Sequence, residues 1–395
     1  MKKYSRIDPI GGKDFIWNTP FALDPNNNNI IYIAGGRSVW RNNDLSKVEM
    51  IDFPSNGWAG FKSLDSISTE WDELLKTKVD LDDTTNERIT AIKVSNNPAN
   101  VLYYGTNLGN LYRIDNSNVG DNEPILINSK EFSDGSYVSS ISIDPNDASN
   151  VIMCFSNYNV RSIFHTTNGG ETWIQVGGNL EVNEFGTGSS PAINEVKIFY
   201  YNGKKAYLAG TSIGLYMTTE LNGMGTVWQQ EAENTIGYNN VFTLDTRSLD
   251  GYTVAGTYAT GTYGTYFRNF PNAPSKVALN YPSNNSEYIS DRAEFQWNKV
   301  NEAYYYNIEI ATDSEFQNIV FQKNNVDSNV TRADGLERGF KTYYWRVSPI
   351  NAGGMGEYSE VWKFQTGITV PRLIYPEQNA KNIPTTASLK WEKFA

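Results

Sequence analysis

Residues 141–165 read ISIDPNDASNVIMCFSNYNVRSIFH. An apolar run enters an Asp-Pro turn, a second β-rich run follows, and a third short run carries an aromatic. The phrase recurs with variations as FALDPNNNNIIYIAGGRSVWR (21–41), IKVSNNPANVLYYGTNLGNLYR (92–113), VKIFYYNGKKAYLAGTSIGLYM (196–217) and FTLDTRSLDGYTVAGTYATGTYGTYF (242–267). A repeat of this size made of short strands cannot bury its apolar face alone. It therefore implies small sheets that are stacked or set radially.

Each copy has the anatomy of a propeller blade. The first strand alternates apolar residues, as in Thr90/Ile92/Val94, Ile141/Ile143, Val196/Ile198 and Phe242/Leu244. An inner strand packed on both sides needs this. The second strand follows a turn, and the third carries Trp40, Tyr112, Phe164, Tyr216 or Tyr266. A fourth, outer strand contains Trp71, Trp173 or Trp228 in three of the copies. From turn to turn, Pro98 to Pro145 spans 47 residues, Pro145 to Gly203 spans 58, and Gly203 to Gly251 spans 48. Four-stranded blades take about 40–50. Pro25 to Pro98 spans 73, and the excess lies in a polar insertion, residues 42–87. That insertion and the loop EVNEFGTGSSP (181–191) are candidate functional rim loops.

The expected fold is all-β. A β-propeller occupies 1–270, with blades near 14–78, 86–130, 135–178, 190–232 and 238–268, and an immunoglobulin-like β-sandwich follows. Five blades can close a ring or form an arc of a larger one. Residues 1–13 hold no full blade, which favours an arc with one or more further blades upstream.

From FRNFPNAPSK onward the pattern changes. Residues 273–367 carry short strands such as AEFQW, YYYNIEIA, YYWRV and VWKFQT, the signature of a sandwich with Trp297 and Tyr344/Trp345 in its core. The segment resembles a fibronectin type III domain. A second copy starts at once: 275–297 aligns without gaps to 369–391, with Leu279/Leu373, Tyr281/Tyr375 and Trp297/Trp391 as identical pairs. Residues 369–395 are read as the truncated start of a second such domain, because two strands cannot bury a sandwich core.

The bulk numbers exclude several classes. Net charge is −11 and the pI is about 4.8, with no basic cluster, so nucleic acid is not an expected partner. No run of about 18 apolar residues exists, so no membrane insertion by a helix is expected. The single cysteine, Cys154, cannot form an intrachain disulfide and reads as a small buried hydrophobe. His165 is the only histidine, which removes most zinc sites. No phosphate-binding glycine loop or nucleophile elbow is present, and no cofactor is expected. Asp80, Asp82 and Asp83 collect oxygen ligands that could hold Ca²⁺ but lack the spacing of a known calcium loop, so a solvated loop is favoured.

The sharpest motif is TTNGGETW, residues 166–173. Thr166, Asn168, Gly170, Thr172 and Trp173 match the Asp-box pattern, with Asn168 in the Asp position. Asn and Thr side chains can bond turn amides, and Gly169 and Gly170 allow positive φ. The motif resembles secreted bacterial Asp-box (BNR-repeat) propellers, a superfamily with sialidases, xyloglucan-hydrolysing endoglucanases and the sortilin ectodomain. The arrangement most resembles bacterial surface proteins in which such propellers precede fibronectin type III modules. The resemblance implies a structural role for the five motif residues and an extracellular or cell-surface location.

A sialidase would need an arginine triad. Arg6 in SRIDP matches its first arginine only faintly, and Arg37, Arg113, Arg161 and Arg268 fall where the repeat itself places them. Paired carboxylates are the broader enzymatic requirement. Glu195 and Asp245, on inner strands, are the candidates, whereas Asp24 and Asp144 before Pro read as turn formers. The expectation is a non-catalytic protein that binds a polysaccharide or an extracellular protein through propeller rim loops, with fibronectin type III spacers. The alternative is a glycoside hydrolase whose active site is partly outside this fragment.

Overall fold

The computed structural model describes residues 3–4, 7–9, 11–48, 51–52, 70–82, 84–367, 373–377 and 379–391. The chain is all-β and divides into two units, Met1–Asn272 and Ala273–Ala395.

In the first unit, β1 (Lys3–Tyr4) pairs with β5 (Ile51–Asp52), and the remaining strands form five consecutive antiparallel sheets. Blade one is β2 (Phe21–Asp24), β3 (Asn27–Gly35), β4 (Ser38–Asn42) and β6 (Trp71–Leu74). Blade two is β7 (Ile89–Val94), β8 (Leu102–Thr106), β9 (Leu111–Ile114) and β10 (Ile125–Leu126). Blade three is β11 (Val138–Asp144), β12 (Asp147–Phe155), β13 (Ile163–Thr166) and β14 (Ile174–Gln175). Blade four is β15 (Ile193–Tyr201), β16 (Lys204–Thr211), β17 (Gly214–Thr218) and β18 (Gln229–Glu231). Blade five has, among the described residues, three strands: β19 (Val241–Arg247), β20 (Tyr252–Thr257) and β21 (Thr262–Tyr266). The first strands pack in series, β2 on β7, β7 on β11, β11 on β15 and β15 on β19.

Close approach between blades depends on one small residue near the end of the second strand. A Cβ on Gly105 would lie 2.4 Å from Val138 Cγ1, the first residue of the next blade. The ladder registers Gly105↔Leu111, Cys154↔Ile163 and Gly210↔Leu215 place Cys154 at the same point in blade three. This accounts for a buried cysteine between two glycines of the repeat. Its thiol contacts the Ser139 hydroxyl, and burial raises its pKa, so it is an inert packing group. The registers also correct one equivalence. Tyr104↔Tyr112, Met153↔Phe164 and Ala255↔Tyr263 place Tyr263, not Tyr266, with the third-strand aromatics. Tyr266 sits three residues further along β21, where its side chain is exposed.

Polar contacts join the blades at both levels. Trp173 donates its indole N–H to the Ile127 carbonyl of blade two (2.8 Å), and Trp228 donates to the Val176 carbonyl of blade three (3.0 Å). At the turns between first and second strands, the Asn26 amide donates to the Asn96 carbonyl, and the Asn96 amide to the Pro145 carbonyl (both 3.1 Å). Asp24 and Asp144 are turn formers, accepting the main-chain N–H of Asn26 (2.7 Å) and Asn146 (2.9 Å).

The second unit contains a sandwich of two sheets. One has β22 (Leu279–Tyr281), β24 (Glu294–Trp297) and β27 (Val330–Arg332). The other has β23 (Ser286–Ile289), β25 (Tyr305–Ala311), β26 (Ile319–Val326), β28 (Thr342–Asn351), β29 (Gly354–Met355) and β30 (Trp362–Thr366). Phe295, Trp297, Tyr343, Trp345 and Phe364 fill its core. Tyr344 does not join them, because alternation along β28 sends Tyr343 and Trp345 to the core face and Tyr344 to the other. Beyond it, β31 (Leu373–Tyr375) pairs with β32 (Lys390–Trp391) in the register Leu373↔Trp391, which repeats Leu279↔Trp297. Trp297 is buried, and Trp391 is exposed.

Trp228→Phe keeps a ring but removes the bond to Val176, and is expected to cost about 1 kcal/mol in urea unfolding of the full chain. Trp228→Ala should cost about 3–5 kcal/mol. A Trp228→Phe variant as stable as wild type would show that the interblade bond contributes nothing.

Candidate functional site

The first strands of blades two to five share an irregularity. Their ladders shift register between Ile89 and Ala91, Val138 and Ser140, Ile193 and Glu195, and Val241 and Thr243. Each shift inserts one extra residue: Thr90, Ser139, Asn194 or Phe242. A bulge bends the strand and re-aims the side chain it carries. In three blades that side chain joins the next blade. Thr90 donates to the Val138 carbonyl (2.7 Å), Ser139 to that of Ile193 (2.9 Å) and Asn194 to that of Val241 (2.9 Å).

The bulges surround the mouth of a cavity of about 670 Å³, at the end of the unit where the first strands begin. Every blade contributes. Asn18, Thr19 and Phe21 come from blade one and the segment before it, Thr90 from blade two, Tyr137, Ser139 and Ser156 from blade three, Asn194 and Glu195 from blade four, and Phe242 and Thr243 from blade five. The lining is mostly hydroxyl and amide, with exposed rings at Phe21, Tyr137 and Phe242.

Glu195 stands at the inner side of this cavity. It accepts from the Ser140 hydroxyl (3.0 Å) and lies 3.7 Å from the Lys197 ammonium, which is itself 3.7 Å from Asp245. The two candidate carboxylates are thus brought together, but around one lysine. A hydrolytic pair must flank the scissile bond, and here the ammonium takes the place between them. Burial pushes the Glu195 carboxyl up, against the opposing pull of Lys197 and Lys93. The Lys197 charge, and then burial, hold the Lys93 amine down to about 8.

The other sequence candidates lie elsewhere. Arg6 and Asp83 fall outside the described residues. Arg37 is 3.7 Å from both Asp14 and Asp80, Arg113 pairs with Asp115, Arg161 with Glu131, and Arg268 stacks over Tyr266, so these arginines are engaged separately. Asp80 accepts the N–H of Thr84 and Thr85 (2.9 Å each), which helps hold its carboxyl down to about 2. Asp82 is exposed, and among the described residues no three His, Cys, Asp or Glu side chains are placed to share a metal.

At Thr166–Trp173, the Thr166 hydroxyl donates to Asn168 Oδ1 (2.8 Å) and accepts from Gly170 N–H (3.1 Å). The Asn168 amide donates to the Thr172 hydroxyl (2.9 Å), and the Thr172 N–H returns to Asn168 Oδ1 (3.0 Å). Gly169 and Gly170 have φ of +70° and +96°. All five motif side chains or amides are engaged within the turn or, for Trp173, with blade two.

Of the rim insertion at 42–87, residues 49–50, 53–69 and 83 lie outside the described residues. The loop at 181–191 folds onto blade three: Glu181 accepts Ser162 N–H (2.7 Å), and Phe185 lies beneath Arg161. Phe185 is exposed, as are Trp17, Tyr158, Tyr238 and Tyr258. All five lie in segments that enter a first strand or leave a second one. They therefore surround the same end of the unit as the cavity mouth.

The sequence reading did not identify any of these four residues as a bulge. Thr90 and Phe242 stood in it as ordinary members of an alternating strand, and only the register reveals the extra residue.

No protein-family model matches the chain, and no curated protein matches it. Among solved structures, the Neurospora crassa Pan2 WD40 domain is similar at 10% identity and a TM-score of 0.36, covering 64% of this chain and 63% of that one. U3-55K is similar at 9% identity and a TM-score of 0.37, covering 62% of this chain and 61% of that one. A Fn3-like protein from Clostridium thermocellum is similar at 21% identity and a TM-score of 0.19, covering 26% of this chain and 98% of that one. None of these bears on what the chain binds.

His165 donates its Nε2–H to Asn150 Oδ1 (2.7 Å), and burial holds its imidazole down to about 4 from an ordinary 6.5. Between those values the unfolded chain binds a proton that the folded chain refuses. This contribution to stability is therefore present above about pH 6.5 and lost as pH falls toward 4. The urea midpoint of wild type should fall across that window more steeply than that of His165→Gln. Parallel pH profiles would show that His165 does not contribute.

Proposed function

We propose that this chain is a non-catalytic binding protein that takes a glycan at the aromatic-studded end of its propeller. The sandwich unit serves as a spacer. One observation carries the reading: the cavity combines exposed rings (Phe21, Tyr137, Phe242) with neutral hydroxyls and amides (Thr19, Thr90, Asn194). Sugars present apolar C–H faces that stack on rings and hydroxyl edges that need both donors and acceptors. Glu195 adds an acceptor at the inner side. The Thr166–Trp173 turn supports placing the chain among Asp-box propellers, and that kinship together with a fibronectin type III-like sandwich supports an extracellular or cell-surface location.

A second reading, glycoside hydrolysis, is favoured by one feature. Burial raises the Glu195 carboxyl, as a general acid requires. Lys197 between Glu195 and Asp245 weighs against it.

A glycan array probed with the 395-residue chain should reveal bound oligosaccharides. Phe242→Ala and Asn194→Ala should each weaken that binding by about tenfold or more while leaving the far-ultraviolet circular dichroism unchanged. Absence of any bound glycan, or binding indifferent to both variants, would overturn the proposal. Release of reducing sugar that disappears in Glu195→Gln would establish the hydrolase instead.

A further inference from the structure

The junction between blades four and five departs from the junctions before it. The outer-strand residue that faces the next blade is Leu74 in blade one (paired with Val39), Ile127 in blade two (bonded to Leu111) and Val176 in blade three (bonded to Ile163). In blade four the register Leu215↔Glu231 puts Glu231 at that place. Trp173 and Trp228 close the second and third junctions by bonding the carbonyls of Ile127 and Val176. Among the described residues blade five has no fourth strand and no tryptophan meets Glu231.

What remains is a cavity of about 400 Å³, walled by Leu215 and Glu231 on blade four and by Thr253, Ala255 and Tyr263 on blade five. Ala255 and Thr253 take the places that Met153 and Val151 hold in blade three. Thr253 is 2% exposed and, among the described residues, its hydroxyl has no hydrogen-bond partner. Among the described residues the Glu231 side chain makes no hydrogen bond or ion pair, and burial pushes its carboxyl up to about 7. Among the described residues no strand pairs with the other edge of β21. Thr257 N–H bonds the Gly261 carbonyl and Phe267 N–H bonds that of Gly251. Alternation therefore turns the main-chain groups of Thr262, Gly264 and Tyr266 away from β20.

We propose that this junction docks an extended segment of a partner protein, which adds to β21 as a fourth strand and places a tryptophan, flanked by lysine or arginine, in the cavity. The tryptophan is argued from the two junctions where this chain supplies its own. The basic flank is argued from charge complementarity: Glu231 stands without a cation in a chain of net charge −11. Strand addition contributes main-chain hydrogen bonds, and the cavity contributes side-chain selectivity. The site is separate from the axial cavity, so the glycan proposal can fail without affecting it.

The chain's own outer strand supplies a probe. A fluorescent peptide repeating residues 225–231, GTVWQQE, with its last glutamate replaced by lysine, is titrated with the full chain. Saturable binding is expected, weakened about tenfold or more when alanine replaces the peptide tryptophan. Ala255→Trp, which puts an indole of the chain's own into the cavity, should weaken it similarly. Glu231→Gln should remove the preference for the lysine peptide over the unmodified one, and serves as the second variant if Ala255→Trp does not fold. No saturable binding up to about 1 mM, or binding indifferent to the tryptophan and to both chain variants, overturns the proposal. So does concentration-dependent dimerisation abolished by Ala255→Trp, which would make a second copy the occupant.

Discussion

The propeller unit depends on how closely one blade can approach the next. At Gly105 the second strand comes so near Val138 that even a Cβ would collide. Gly210 meets Val241 in the same way, its Cβ position 2.9 Å from Val241 Cγ1. These contacts bring the first strands into a tight series, and everything nearer the axis follows from that. Further out, the sheets twist apart, as sheets must. The large aromatics Trp173 and Trp228 fill the widening gap and bond back across it. Small residues near the axis and large ones at the periphery are two responses to one wedge-shaped space.

The same closeness explains the site. A first strand held this near its neighbours can open toward the axis by a bulge, and four blades use one at the equivalent position. The inserted residue does two things at once. In blades two to four, Thr90, Ser139 and Asn194 bond the next blade and line the cavity. In blade five the residue is Phe242, which makes an apolar contribution to the lining instead. The polarity of the cavity is thus built from residues that also hold the blades together.

Much of this was legible in the chain. The recurring phrase gave five sheets, because the alternation and turns of each copy are local properties. The Asp24 and Asp144 turns, the Thr166–Trp173 hairpin and the buried Trp297 and Trp345 could be read for the same reason. Glu195 and Asp245 were read as carboxylates of inner strands, without the lysine that stands between them. Lys197 is two residues from Glu195 on the same face of β15, yet its reach to Asp245 crosses a blade boundary. Tyr344 and Tyr266 were misplaced by one and three positions, since an aromatic cluster does not reveal which member faces the core until the register is known.

By itself the sequence determined the all-β class, the number of recognisable blades, the change of architecture near residue 272 and the turn chemistry. Each of these rests on neighbours within a few residues. The tertiary structure alone decided which side chains meet at the axis, that a bulge re-aims Thr90, Ser139, Asn194 and Phe242, and that Glu231 faces an unfilled junction. Those facts depend on pairing register and on contacts between blades some 50 residues apart, as from Ser140 to Glu195. A one-residue change in pairing sends every side chain to the opposite face, and no local pattern in the chain records where such a shift occurs.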